Sequence, residues 1–161
     1  RLNMSLGGLG DGSIGPRLAS IKARLVDLSY NRQVALEGWK AVLAGLAESA
    51  VRELDVSKCD LDSGKALAIG SALAGLAPGL RVLDASSNPG LAGAAWESLL
   101  SGLVGGDVQE LRLRNCGLDA GAAAGIGRAL VHLRHTLRSL DVSETEALPA
   151  AGWAALLAGL G

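Results

Sequence analysis

Four nine-residue strings, VRELDVSKC, LRVLDASSN, VQELRLRNC and LRSLDVSET, begin at Val51, Leu80, Val108 and Leu137, spaced 29, 28 and 29 residues apart. The three tryptophans, Trp39, Trp96 and Trp153, keep a step of 57 residues twice over, the sum of two such spacings. A period of this length restricts the chain to a stack of like units, each burying its apolar face against its neighbours. Two unit classes alternate. One carries CDLDSGKALAIGSAL or CGLDAGAAAGIGRAL, from Cys59 and Cys116; the other carries tryptophan in EGWKAVLAGL, AAWESLLSGL and AGWAALLAGL. The opening RLNMSLGGLGDGSIGPRL fits a shortened unit of the first class, since Ile14-Gly15 matches Ile69-Gly70 and Ile126-Gly127.

Within each unit the pattern changes from period two to period 3.6. Val51, Leu54 and Val56, like Val108, Leu111 and Leu113, alternate as a half-buried strand does. A turn column follows, filled by Asn31, Cys59, Asn88, Cys116 and Thr145. Polar side chains there can satisfy backbone groups as the chain leaves the strand. Apolar residues then recur at helical spacing: Trp39, Val42, Leu43, Leu46; Ile69, Ala72, Leu73, Leu76; Trp96, Leu99, Leu100, Leu103. Ile126, Ala129, Leu130 and Leu133 repeat the stripe, as do Trp153, Leu156, Leu157 and Leu160. The tryptophans therefore belong to the core, with their indole N–H groups expected to reach a carbonyl or the solvent edge. Strand and helix alternating at this period make neighbouring strands parallel.

The pattern LxxLxLxxN/C, with VDLSYN at Val26 to Asn31, resembles the leucine-rich repeat family across the whole chain. The 28/29 alternation is similar to its ribonuclease-inhibitor-like subclass. That resemblance implies an α/β fold: a right-handed solenoid of about six repeats, a horseshoe arc with parallel strands on the concave face and helices on the convex face. It also implies a protein partner, often held on the concave strands. Residues 1–161 are expected to form a single leucine-rich repeat domain. Arg1 sits inside a strand motif and Gly161 closes a helix without a polar capping unit, so the domain reads as part of a longer solenoid.

Catalytic signals are weak. Gly10-Asp11-Gly12-Ser13-Ile14-Gly15 matches GxGxxG. The equivalent loops at Ser63-Gly64 and Ala120-Gly121 keep the helix start without that pattern, which favours a shortened turn over a dinucleotide site. His132 and His135 are too few for a metal centre. Cys59 and Cys116 share one column two strand spacings apart, beyond disulfide reach, and are expected to be buried, inert and in a reducing compartment. The expectation is a non-enzymatic, intracellular, cytoplasmic protein without cofactor or metal. A net charge of −1 gives no footprint for nucleic acid, and no apolar run approaches a membrane span.

Residues between the buried strand positions point to the concave side. One column reads Asn3, Asp27, Asp55, Asp84, Arg112 and Asp141, and the one before it Arg1, Leu25, Glu53, Val82, Glu110 and Ser139. Two more read Ser5, Ser29, Ser57, Ser86, Arg114, Ser143 and Leu6, Tyr30, Lys58, Ser87, Asn115, Glu144. Asp is a poor strand former and stacked like charges repel. Either each Asp bonds a neighbouring Ser, or the columns form a mixed-charge surface for another protein. The candidate partner-binding residues are Asp27, Tyr30, Glu53, Asp55, Lys58, Asp84, Glu110, Arg112, Arg114 and Asp141. A regulatory or sensing module of a larger enzyme or receptor, and a structural subunit using its convex helices, are the alternatives.

Overall fold

The structure, a computed structural model, describes residues 2–3, 23–46, 49–145 and 148–161. Its strands are β1 (Leu2–Asn3), β2 (Leu25–Asp27), β3 (Glu53–Asp55), β4 (Val82–Asp84), β5 (Glu110–Arg112) and β6 (Ser139–Asp141). Its helices are α1 (Leu36–Leu46), α2 (Ser63–Leu76), α3 (Gly93–Ser101), α4 (Ala120–Leu133) and α5 (Ala150–Ala158). The strands form one parallel sheet in chain order. Among the described residues each strand and each helix packs against its sequence neighbours of the same kind. The GxGxxG string at residues 10–15 and the column members Arg1, Ser5 and Leu6 lie outside the described residues.

Helices cover one face of the sheet. The central strand residues Val26, Leu54, Leu83 and Leu111 point into that layer and are fully buried, as are Leu28, Val56, Ala85 and Leu113 one step further on. The Ile-Gly helices start on aspartate caps: Asp62 Oδ1 accepts from Lys65 N at 2.8 Å, and Asp119 Oδ1 from Ala122 N at 2.7 Å. The Trp-class helices α3 and α5 have Ala92 and Pro149 in that place and no side-chain cap.

Adjacent helices meet backbone to backbone. A methyl on Gly70 of α2 would collide with the Ser98 carbonyl of α3, and one on Gly102 with the Gly70 carbonyl. The same notch recurs one full period later, where Gly127 of α4 faces the Ala155 carbonyl of α5 and Gly159 faces the Gly127 carbonyl.

Two expectations about the tryptophans need correction. Trp39 and Trp96 are fully buried, but Trp153 is 37% exposed, with Leu157 and Leu160 also open to solvent. Helical phase points all three indoles the same way; Trp153 differs because no helix follows α5 among the described residues. Among the described residues the indole Nε1 atoms of Trp39 and Trp96 also find no hydrogen-bond partner, neither carbonyl nor solvent edge. Packing of the large ring outweighs the cost of the orphaned donor.

Candidate functional site: the open face of the sheet

The turn column fixes the geometry of this face. Asn88, fully buried, donates through Nδ2 to Ala85 O (2.9 Å), Val56 O (3.1 Å) and Ser86 O (3.2 Å). Its Oδ1 accepts from Cys59 N at 3.0 Å and Leu61 N at 3.3 Å, so one side chain ties two units together. The cysteines do less: Cys59 Sγ contacts Leu28 O and Ser57 O at 3.2 Å, and Cys116 Sγ contacts Ala85 O at 3.5 Å. Both thiols are free, buried and pushed up by burial to about 11.

Before each turn residue comes a left-handed position. Tyr30 (φ 62°), Lys58 (φ 56°), Ser87 (φ 56°), Asn115 (φ 53°) and Glu144 (φ 58°) all adopt it, none of them glycine. The conformation costs on the order of 1 kcal/mol for such residues. It is held because each N–H from Tyr30 to Asn115 reaches the Ser or Arg carbonyl of the next unit, as in Lys58 N to Ser86 O at 3.0 Å and Ser87 N to Arg114 O at 2.8 Å. Pairing between units thus continues past the strands into the turn.

The charged column aligns as its spacing implies: Asn3, Asp27, Asp55, Asp84, Arg112 and Asp141 are successive partners across the sheet. Every Asp in it has a local role. Its Oδ1 accepts the N–H two residues on, at Ser29 (3.1 Å), Ser57 (2.8 Å), Ser86 (3.0 Å) and Ser143 (2.9 Å), which closes the turn. Where Arg112 interrupts the column, the N–H of Arg114 is taken instead by Ser86 Oγ from the neighbouring unit at 3.2 Å.

The column is not uniform. Asp27 is only 6% exposed and also accepts from Asn3 Nδ2 at 2.7 Å and Ser29 Oγ at 2.6 Å, which withdraws it from the surface the sequence reading assigned to it. Asp55 is half-buried: desolvation pushes its carboxyl above the usual carboxylate range against the pull of Ser57, and the charges of Asp84 and Asp27 add to the rise. Asp141 is held below that range by hydrogen bonds from Ser143, with Arg114 and Arg112 contributing.

The bases of this face are engaged. Arg112 bonds Glu110 Oε1 at 2.7 Å and lies 3.8 Å from Asp84, so it bridges two acids. Arg114 pairs with Glu144 at 2.6 Å. Lys58 donates to the Tyr30 hydroxyl at 2.5 Å and sits 4.6 Å from its ring centroid. Glu53 and Asp55 have no ion-pair partner among the described residues. The result is a surface running from an exposed Tyr30–Lys58 pair, past Glu53 and Asp55, to a network around Arg112 and Arg114.

Other features escaped the sequence reading. A groove of about 480 Å³ between α1 and α2 is lined by Leu36, Lys40, Leu43 and Leu67, and one of about 400 Å³ near α3 and α4 includes Val104, Val131 and His132. Arg128 pairs with Glu97 at 2.9 Å beside the second groove. The Asp caps could have been found from Asp preceding a small residue at a helix start. The grooves could not, because they depend on how far apart helices settle. No cluster of metal-ligating side chains forms among the described residues, and His132 and His135 are exposed. No described helix is long and apolar enough to cross a membrane.

No family model matches the chain, and no curated protein does. Among solved structures it is similar to the tropomodulin C-terminal domain from Caenorhabditis elegans, at 16% identity and a TM-score of 0.68, covering 93% of this chain and 91% of that one. Likeness at that identity speaks for the fold alone. The chain therefore has a leucine-rich-repeat-like α/β fold, with a parallel sheet backed by helices.

Proposed function

We propose that this chain is a non-enzymatic protein-interaction module, a ribonuclease-inhibitor-like horseshoe whose concave strand face holds another protein inside the cell. The observation that carries this reading is Tyr30. It is 66% exposed, stands at the edge of the strand face, and is held by Lys58 before any partner arrives. An aromatic anchor already ordered loses little entropy on binding. Glu53 and Asp55, on the strand that pairs with β2, favour a partner bearing basic groups, while Arg112, already between Glu110 and Asp84, contributes register more than attraction.

The four-column surface also supplies its own test. Lys58 marks the strand face and Lys40 the helix face. Crosslinking in native extract should join the partner to Lys58, and Tyr30→Ala should then weaken the purified pair by more than about 1 kcal/mol, at least fivefold in Kd. Combined charge reversal at Asp55, Asp84 and Arg112 should weaken it further. Unchanged affinity in both variants would remove the strand face from consideration. Crosslinks confined to Lys40 would instead favour the second reading, a structural subunit docking through its helices, which the groove beside Leu67 supports.

A further inference from the structure

Two grooves on the helix side of the sheet lie one period apart, and they are closed differently. Between α3 and α4, Gly93 leaves room for the Gly121 carbonyl and Gly125 for the Gly93 carbonyl, so the two backbones touch at their N-terminal ends. Further along, Glu97 and Arg128 reach across the gap and pair at 2.9 Å. Between α1 and α2 each closure is replaced. Leu36 and Ala68 stand where Gly93 and Gly125 do one period later, and what faces Gly64 across the gap is the Leu36 side chain instead of a carbonyl. Lys40 and Ser71 take the places of Glu97 and Arg128, and each bonds within its own helix, Lys40 to Glu37 and Ser71 to Leu67 O. The groove of about 480 Å³ therefore stays open, with leucine and alanine on its walls and Leu67, 59% exposed, on its rim.

The α3–α4 pair shows what a cover has to supply. There the aliphatic stem of Arg128 spans the gap and its head ends on the opposite charge of the Trp-class helix. On α1 the charge at that place is Lys40, the one charged side chain that lines the groove, so the complementary cover ends in a carboxylate. Its present partner, Glu37, sits on the same helix at 2.8 Å with both side chains more than half exposed, a class of pair too weak to hold Lys40 against a better-placed acid. Shape selects a helix. Leu36 to Ala44 covers two turns, about 12 Å, and the apolar surface continues from the floor onto Leu67; an acyl chain on the floor would leave that rim bare, whereas a helix covers both. We infer that the α1–α2 groove docks an amphipathic helix of a partner protein, with leucine-like side chains among Leu36, Leu43 and Leu67 and an Asp or Glu on Lys40. The groove lies on the opposite side of the sheet from the open face, and the inference does not rest on the reading given for that face.

The probes are two end-blocked, alanine-based helical peptides with leucine at i, i+4, i+7 and i+11, flanked by glutamates in one and by lysines in the other. In fluorescence anisotropy with the intact chain, the glutamate peptide should saturate and bind at least about fivefold more tightly than its lysine twin. Lys40→Glu should invert that order, and Leu67→Ser, at an exposed position, should weaken the glutamate peptide by a similar factor. Lys40→Glu combined with Ser71→Arg rebuilds the Glu97–Arg128 bridge one period earlier; it should abolish binding of both peptides while the thermal melt is retained. Tyr30→Ala should leave both affinities unchanged, which separates a failure here from a failure of the open-face reading. Equal affinity for the two peptides, no saturation at millimolar peptide, or a folded bridged variant that still binds overturns the inference. If the bridged variant loses its melt, Leu67→Ser decides. Sodium dodecanoate that binds in a Lys40-dependent way where neither peptide does would make the occupant a small amphiphile, and the inference fails.

Discussion

At the residue scale, one turn position separates strong from weak links between units. Asn88 satisfies three carbonyls and two N–H groups, whereas among the described residues the Thr145 hydroxyl reaches Val142 O alone, at 2.7 Å. Asn88→Ala leaves the Cys59 and Leu61 N–H groups buried without an acceptor and should cost about 3 kcal/mol in urea unfolding; Thr145→Ala should cost about 1 kcal/mol. The cysteines of the same column make a pH prediction. Their thiols ordinarily titrate near 9.0 and in the fold near 11, so between those values the unfolded chain has released protons that the folded chain retains. Stability therefore falls as pH rises through that window. At pH 8 both thiols should react with a disulfide reagent only as fast as the protein opens, which labelling kinetics in increasing urea would reveal.

The residue scale is also where the sequence was least explicit. The column of acids is visible from spacing, yet spacing does not decide between local bonding and recognition. The missing information was geometric: only with the turn in place does each Asp oxygen fall on the N–H two residues along. Burial of Asp27 was likewise illegible, because it depends on Asn3 from another strand. Tyr30 was visible as the single tyrosine, but its left-handed backbone and its contact with Lys58 were not.

At the scale of elements, helix spacing is set by glycine notches. Gly70→Ala measures this by sign. On an open helix surface the change would stabilise by about 1 kcal/mol through helix propensity. Here the added methyl would meet the Ser98 carbonyl, a backbone atom that cannot rotate away, so the variant should be destabilised by about 2 kcal/mol in thermal or urea unfolding. The Ile-Gly pairs were legible as a class marker, and the strand and helix order followed directly from the change of period. Why glycine follows isoleucine was not legible, since a notch is a relation between two helices. Trp153 failed for a related reason: phase says which side of its own helix a residue occupies, while burial requires something on the other side.

At the scale of the whole molecule, units touch only along the chain, and no described element bridges distant parts of the stack. The linear order of the sheet was therefore the most secure part of the sequence reading, because a uniform period leaves few ways to connect like units. Closed globular folds distribute their load over contacts between remote segments. This one transmits it through a single file of interfaces. Pulled by its two ends in an optical trap, the chain should yield in sequential rips instead of one event. Each rip should release 28 or 29 residues, roughly 100 Å of contour length, and the interface tied by Asn88 should be among the last to part. A single rip of the full length would show that the interfaces between units are stronger than the units themselves.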